Sequence, residues 1–113
     1  MLENNHEKKP KKYAGILAHP TSFPSPYGIG DLGKGAYRFI DFLANSGLNL
    51  WQVLPLGHTG FGDSPYQPFS AFAGQPLIID LDALKEYKLL SEDDFTDMPE
   101  WDPVHIDYGT LIL

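Results

Sequence analysis

The residues best suited to binding chemistry lie in one segment, residues 57–76, which holds four glycines, three prolines and four aromatic rings. Glycine and proline fix unusual backbone paths, whereas aromatic faces and short polar groups can contact a ligand. Connections of this length in compact domains are usually functional or disordered, and the aromatic content argues against disorder. The segment is therefore predicted to be a binding loop.

Within this loop, Tyr66 is the side chain most typical of a ligand platform. It lies between Pro65 and Gln67, with Ser64 just before them. A rigid aromatic face beside hydrogen-bonding groups suits a sugar ring, which stacks through its C–H face and bonds through its hydroxyls. Core packing is the alternative for Tyr66. For two other loop rings and for the strand tryptophan, core packing is the favoured interpretation: Phe69, Phe72 and Trp51.

Two carboxylates are candidates for acid–base chemistry. Asp31 and Asp63 each follow a predicted strand, at the edge where α/β folds place ligands, and paired carboxylates act in glycoside chemistry. Helix capping is the favoured alternative for Asp31. An Asx turn before Ser64 is an equally good explanation of Asp63.

A glycine pattern, G-x-G-x-x-G, spans residues 28–33 and opens a predicted helix. In a dinucleotide fold these glycines follow the strand directly. Here a loop with three prolines intervenes, and Asp31 would lie against the pyrophosphate. A nucleotide site is therefore not favoured.

Composition narrows the remaining classes of partner. The formal charge is −7, and it is uneven, because residues 1–12 hold four lysines and two acids while the rest holds 13 acids and four bases. An acidic body repels phosphate backbones, so nucleic acid is not an expected partner. The spacing of the histidines is not that of a metal site, as the positions of His19, His58 and His105 show. The sequence contains no cysteine, so thiolate ligands for a metal are excluded. No long apolar run or signal peptide is present, so we expect a cytoplasmic protein without a membrane partner.

The elements that must position these groups alternate between strands and helices. We expect a strand over 13–18, a helix over 31–46, a strand over 48–56 and, after the binding loop, a strand over 76–81 and a helix over 82–90, followed by irregular chain over 95–107. Asp31 and Asp82 are the expected N-caps, and Gly47 supplies the left-handed position after the first helix.

This order is typical of a parallel α/β sheet with right-handed crossovers. Two helices cannot cover the faces and edges of two or three parallel strands. We therefore expect the N-terminal piece of a larger barrel or sheet.

The same residues resemble a known family. Gly15 to Gly33, Trp51-Gln-Val-Leu-Pro-Leu-Gly57 and Gly60-Phe-Gly-Asp-Ser-Pro-Tyr-Gln67 are similar to the N-terminal region of the 4-α-glucanotransferases, the amylomaltases or disproportionating enzymes of glycoside hydrolase family 77. Ser70 to Leu81 continue the similarity, which spans about residues 13–90.

The resemblance implies an α/β fold that is the N-terminal part of a TIM-type (β/α)8 barrel of the α-amylase clan. Enzymes of this family transfer a segment of an α-1,4-glucan to the 4-hydroxyl of another glucose or glucan by retaining double displacement. Their nucleophilic Asp, acid/base Glu and third Asp lie beyond residue 113, so no catalytic residue is expected in this chain. The expected partners are α-1,4-glucans, maltooligosaccharides and the rest of the barrel, without cofactor or metal.

The resemblance also assigns roles within the binding loop. Tyr66 matches a tyrosine that stacks on the sugar beside the cleaved bond, Ser64 lies within hydrogen-bond reach of bound sugar, and Asp63 shapes the same loop, with Gln67 beside it. Phe61 stands where some relatives carry a tyrosine of a secondary glucan site. It keeps the stacking face and lacks the hydroxyl, and His58 replaces a frequent proline.

The implied organisation has two parts, a disordered basic tail over 1–12 and the incomplete catalytic barrel over 13–113. As an isolated piece the chain is expected to be inactive. Two alternatives stay open, a free-standing non-catalytic glucan-binding or interaction module and a hydrolase of the same clan.

Overall fold

The computed structural model describes residues 11–112, apart from the side chains of Phe61 and Ile112. Its strands are β1 (Gly15–Leu17) and β2 (Leu50–Gln52), and its α-helices are α1 (Lys34–Asn45), α2 (Leu81–Glu86) and α3 (Tyr108–Ile112). Short 3-10 helices lie at Pro20–Ser22, Phe61–Asp63, Pro76–Ile78 and Glu92–Phe95. The predicted basic tail, 1–12, falls almost entirely outside the described residues.

The two strands form a parallel pair with α1 as the crossover between them. The paired residues are Gly15 with Leu50, Ile16 with Trp51 and Leu17 with Gln52. Parallel strands joined through a helix confirm the predicted α/β class. Both strands are shorter than expected at both ends. Pro20 and Pro55 limit their C-terminal ends, because neither can donate a ladder hydrogen bond.

Helix α1 begins later than the sequence predicts. Its N-cap is Gly33 rather than Asp31, and the Asp31 carboxylate accepts a hydrogen bond from the Gly33 N–H at 2.9 Å in the turn that precedes the helix. The N–H of Leu32 donates to the Ile78 carbonyl at 2.9 Å, which holds this segment outside the helix. The prediction of Asp31 as N-cap was therefore wrong.

The C-terminal end of α1 follows the prediction. Gly47 has φ 71°, and the next amide, of Leu48, donates to the Leu43 carbonyl at 2.9 Å. This is the 6→1 bond of a Schellman motif, which requires a left-handed residue and so favours glycine.

The predicted third strand over 76–81 is absent from the described chain. Pro76–Ile78 forms a 3-10 turn instead, and the Gln75 side chain accepts from the Leu77 N–H. Pro76 has no N–H for a ladder, and the local cap offers the backbone an alternative to sheet pairing.

Helix α2 then begins one residue earlier than expected, with Asp80 rather than Asp82 as its N-cap. The Asp80 carboxylate accepts from the N–H groups of Asp82 at 3.0 Å and Ala83 at 3.2 Å. The helix ends at Glu86 rather than near Leu90, because Lys88 adopts φ 59°.

Removal of this cap gives a first prediction. In the full-length protein Asp80→Ala should lower the local stability of α2 by about 1 kcal/mol, the usual effect of losing an N-cap. Hydrogen exchange of the α2 amides measures it. Asp80→Asn is the matched control, since asparagine caps equally well; equal losses in both variants would contradict the capping role.

The core is small and lies between α1 and the segments that flank it. Its buried apolar side chains are Ile29, Ala36, Leu43 and Ile78. Phe23, Phe39 and Trp51 form an aromatic cluster with centroid distances of 5.1–5.7 Å. The Trp51 indole also donates to the Ala18 carbonyl at 2.7 Å, so Trp51 is a packing residue, as predicted. Within residues 11–112, none of the helices has the length and apolarity needed to cross a membrane.

Candidate functional site

The binding loop runs from the end of β2 to the 3-10 turn at Pro76, and its two arms lie close together. Two isolated antiparallel bridges join its arms, Gly57 with Gly74 and Thr59 with Pro68. The Gln75 N–H donates to the Leu56 carbonyl at 2.9 Å, which closes the base. We call residues 57–75 the binding loop and residues 60–67 its tip.

The tip is folded by consecutive tight turns. Gly62 and Asp63 have φ of 72° and 54°, a left-handed conformation that glycine and aspartate tolerate better than most residues. The Asp63 N–H donates to the Gly60 carbonyl at 3.2 Å and the Gln67 N–H to the Ser64 carbonyl at 3.2 Å. Asp63 thus serves the tip through its backbone conformation. The Asx turn, one of the two interpretations of Asp63, is not among the hydrogen bonds of the described chain.

The Ser64 hydroxyl orients Tyr66. It accepts a hydrogen bond from the Tyr66 N–H at 3.3 Å, and Pro65 between them limits the backbone further. Tyr66 is 68% exposed, so its ring does not pack into the core and both its face and its hydroxyl remain available. The tip therefore presents an aromatic platform on a backbone fixed by turns.

The structure brings four of the five sequence-predicted binding residues together on this tip. Asp63, Tyr66 and Gln67 are exposed, and Ser64 is half-buried. The side chain of Phe61 lies outside the described part of the chain. The binding roles of these five residues stay predictions.

Phe69 and Phe72 contradict the expectation that they pack in the core, since they are 82% and 100% exposed. The Thr59–Pro68 bridge turns the returning arm away from the small core. The Ser70 hydroxyl then accepts from the Phe72 N–H at 3.2 Å, repeating the arrangement of Ser64 and Tyr66. A serine two residues before an aromatic ring is the sequence signal that could have indicated the exposed Phe72, whereas Phe69 has Gln67 at that spacing and carries no such signal.

The two candidate carboxylates do not form a pair. Asp63 lines a cavity beneath the tip, whereas Asp31 lines others near the start of α1. Burial, together with the neighbouring charges of Asp80 and Asp82, raises the pKa of Asp31. The arrangement does not support Asp31 and Asp63 as the acid and nucleophile of one glycosidic bond.

The glycine pattern serves packing rather than phosphate binding. A Cβ on Gly30 would lie 2.1 Å from the Pro20 carbonyl oxygen, and one on Gly28 would lie 2.4 Å from the Trp101 ring. Both distances are far below van der Waals contact, so these positions require glycine.

The three candidate histidines, His19, His58 and His105, do not share a hydrogen-bond partner in the described part of the chain. The Nδ1 atoms of His58 and His105 contact the Thr59 carbonyl at 2.8 Å and the Asp102 carboxylate at 3.3 Å. His19 follows β1, and burial lowers the pKa of its imidazole. Across residues 11–112, no three His, Asp or Glu side chains group in a way that could hold a metal ion.

The lowered pKa of His19 predicts a pH dependence. The unfolded imidazole titrates near 6.5, and burial disfavours its charged form in the native state. The unfolded state therefore binds more protons as the pH falls below about 6.5, and stability is lost from there down through the lower native pKa. Urea unfolding of the full-length protein at pH 7.5 and 5.5 measures this. His19→Asn should lose less stability on acidification than the wild type; an identical loss would contradict the prediction.

Comparison with known proteins places this arrangement in a family. The family model described as 4-alpha-glucanotransferase matches residues 18–112. The chain is 50% identical over 102 residues to a 4-alpha-glucanotransferase of Synechocystis sp., covering 90% of this chain and 20% of the relative. It is 53% identical over 97 residues to that of Thermus thermophilus, covering 86% of this chain and 19% of the relative.

A solved structure gives the same result. The chain matches an amylomaltase from Streptococcus agalactiae in complex with acarbose, with a TM-score of 0.83 and 46% identity over 89% of this chain and 21% of that one. The match confirms the predicted fold class, the N-terminal part of a TIM-type barrel, and the chain spans about a fifth of the length of the relatives it matches. The fold agrees with this result, since the chain has a parallel β–α–β unit and an aromatic tip fixed by turns. With about 50% sequence identity to these relatives over most of its length, the chain belongs to the 4-alpha-glucanotransferase family.

Proposed function

We propose that the full-length protein is a 4-alpha-glucanotransferase that moves a segment of an α-1,4-glucan to the 4-hydroxyl of another glucose or glucan. Residues 13–113 form the N-terminal portion of its catalytic barrel and supply substrate-binding loops. The observation that carries this proposal is the exposed Tyr66 ring, held by turns on a loop within the residues that the 4-alpha-glucanotransferase family model matches.

In this proposal Tyr66 stacks on a glucose ring. Burial of about 60–80 Å² of apolar face contributes roughly 1.5–2 kcal/mol to binding. Ser64 and Gln67 lie beside the ring and supply hydrogen bonds to sugar hydroxyls, and Asp63 and Phe61 complete the tip. The amylomaltase of Streptococcus agalactiae was solved in complex with acarbose, which supports an oligosaccharide ligand for this chain.

The chemistry belongs to the remainder of the full-length protein. Retaining glycosyl transfer needs a nucleophilic carboxylate and an acid/base carboxyl group about 5–5.5 Å apart, and neither is assigned to this chain. The mechanism requires no cofactor. The role of the binding loop is to hold the donor glucan so that its scissile bond meets those carboxyl groups.

Disproportionation of maltotriose by the full-length protein tests the proposal. Transfer gives glucose and longer maltooligosaccharides while the number of reducing ends stays constant. Hydrolysis raises the number of reducing ends, so a steady rise would favour a hydrolase of the same clan. Residues 1–113 alone are the control, and turnover by that piece would contradict the assignment of the chemistry to the rest of the chain.

A cytoplasmic location is part of this proposal, and the absence of cysteine suits a reducing compartment. Cell fractionation followed by immunodetection of the full-length protein tests it. Recovery in a membrane or secreted fraction would contradict it.

A further inference from the structure

A small cavity lies between the end of β1 and the binding loop. Its wall includes His19 from the segment after β1, Thr59 and Gln75 from the base of the loop, and Asp63 from the tip. It offers about 20 Å³ to the centre of a water molecule, and about 10–15 Å³ on that measure holds one. The cavity is therefore the size of one water molecule and too small for a sugar.

Two polar atoms on this wall are sealed from solvent. Thr59 is 7% exposed, and its hydroxyl has no hydrogen-bond partner among residues 11–112. The same is true of Nδ1 of His19. Buried polar side-chain atoms nearly always have a protein or water partner, so two such atoms at one cavity point to a shared one.

The chemistry of both groups suits a bridging water. A threonine hydroxyl both donates and accepts, and Nδ1 of a neutral imidazole does either according to tautomer. Burial lowers the pKa of the His19 imidazole, which favours its neutral form. A buried water typically makes about three hydrogen bonds, and Asp63, which also lines the cavity, has acceptor oxygens that suit a third.

We propose that one bound water molecule in this cavity joins Nδ1 of His19 to the hydroxyl of Thr59, and that both are positioning residues for the tip. Thr59 directly precedes the tip and pairs with Pro68 on the returning arm. The link therefore ties both arms of the binding loop to the end of β1 and fixes where Tyr66 stands. Its benefit to glucan binding rests on the proposed function, whereas the water site itself does not.

A crystal structure of the full-length protein tests the site directly. We expect one ordered water within about 2.7–3.2 Å of both atoms. The water should persist in Thr59→Ser, which keeps the hydroxyl, and disappear or lose its fixed position in Thr59→Val, which keeps the shape. An empty cavity, or a side chain from later in the protein occupying it, would overturn the proposal.

Hydrogen exchange of residues 57–75 in the full-length protein tests the positioning role. Thr59→Val should raise exchange about tenfold, because the bound water and Nδ1 of His19 lose the hydroxyl that links them to the binding loop. Thr59→Ser should leave it unchanged. His19→Leu should act like Thr59→Val, and His19→Asn, which keeps a polar atom near the Nδ1 position, should restore protection.

The double variant His19→Leu, Thr59→Val separates a shared water from two independent contacts. If one water serves both, the double variant exchanges little faster than either single variant, since residues in one network are not additive. The proposal would be contradicted if the increases in exchange rate of the two single variants multiplied in the double variant. It would also be contradicted if Thr59→Ser and His19→Asn exchanged as fast as Thr59→Val and His19→Leu. A protein that shows the water and its coupling but no transfer of glucan would refute only the proposed function.

Discussion

Replacement of Tyr66 by alanine in the full-length protein is expected to lower kcat/KM for maltotriose about 10- to 30-fold. This factor corresponds to the roughly 1.5–2 kcal/mol of apolar contact that the ring would make with one glucose unit. The structure makes the ring available for this contact, since it is 68% exposed on a tip whose backbone is fixed by turns.

Two variants serve as controls for this result. Tyr66→Phe keeps the stacking face and should retain most activity, losing only the hydroxyl. Tyr87→Ala removes a ring that is 76% exposed but lies at the end of α2, and it should change nothing. If Tyr66→Ala behaved like Tyr87→Ala, the tip would not be a sugar platform.

Replacement of Gly30 by alanine is expected to destabilise the full-length protein by about 3 kcal/mol or more, because overpacking against backbone cannot relax through side-chain motion. The new Cβ would lie 2.1 Å from the Pro20 carbonyl oxygen and 2.6 Å from the Phe23 nitrogen. The Gly30 N–H also donates to the Thr21 carbonyl at 2.9 Å, so the two segments cannot separate without losing that bond. Urea unfolding and soluble yield measure the effect.

Gly74→Ala is the matched control for Gly30. A Cβ there has no neighbouring heavy atom within 4 Å in the described chain, and such surface substitutions change stability by about 0.5 kcal/mol or less. A similar small effect at both positions would show that Gly30 is not required for packing. It would also reopen the interpretation of the glycine pattern as a ligand-binding turn.

Local signals in the sequence determined a large part of this structure. Apolar residues at helical spacing, Ala36, Phe39, Ile40 and Leu43, predicted α1, and Gly47 predicted its end, since helical periodicity and a left-handed residue act over neighbouring positions. The turn residues around Tyr66 predicted a binding loop that presents this ring for the same reason, whereas Phe69 and Phe72 were expected in the core. The motifs over 13–90 identified the family, and the comparisons confirm it.

Contacts between distant segments determined the rest, and no local pattern carries them. Asp31 does not cap α1, because the Leu32 N–H is taken by Ile78 more than forty residues away and the chain enters the helix two residues later. The expected third strand becomes a turn because Pro76 and Gln75 offer a local bond and no described strand lies beside it. Phe69 and Phe72 face outward because the Thr59–Pro68 bridge directs the returning arm away from the core. Periodicity and turn chemistry specify what a segment prefers, but the partner that each backbone amide and each apolar face meets is a property of the folded chain.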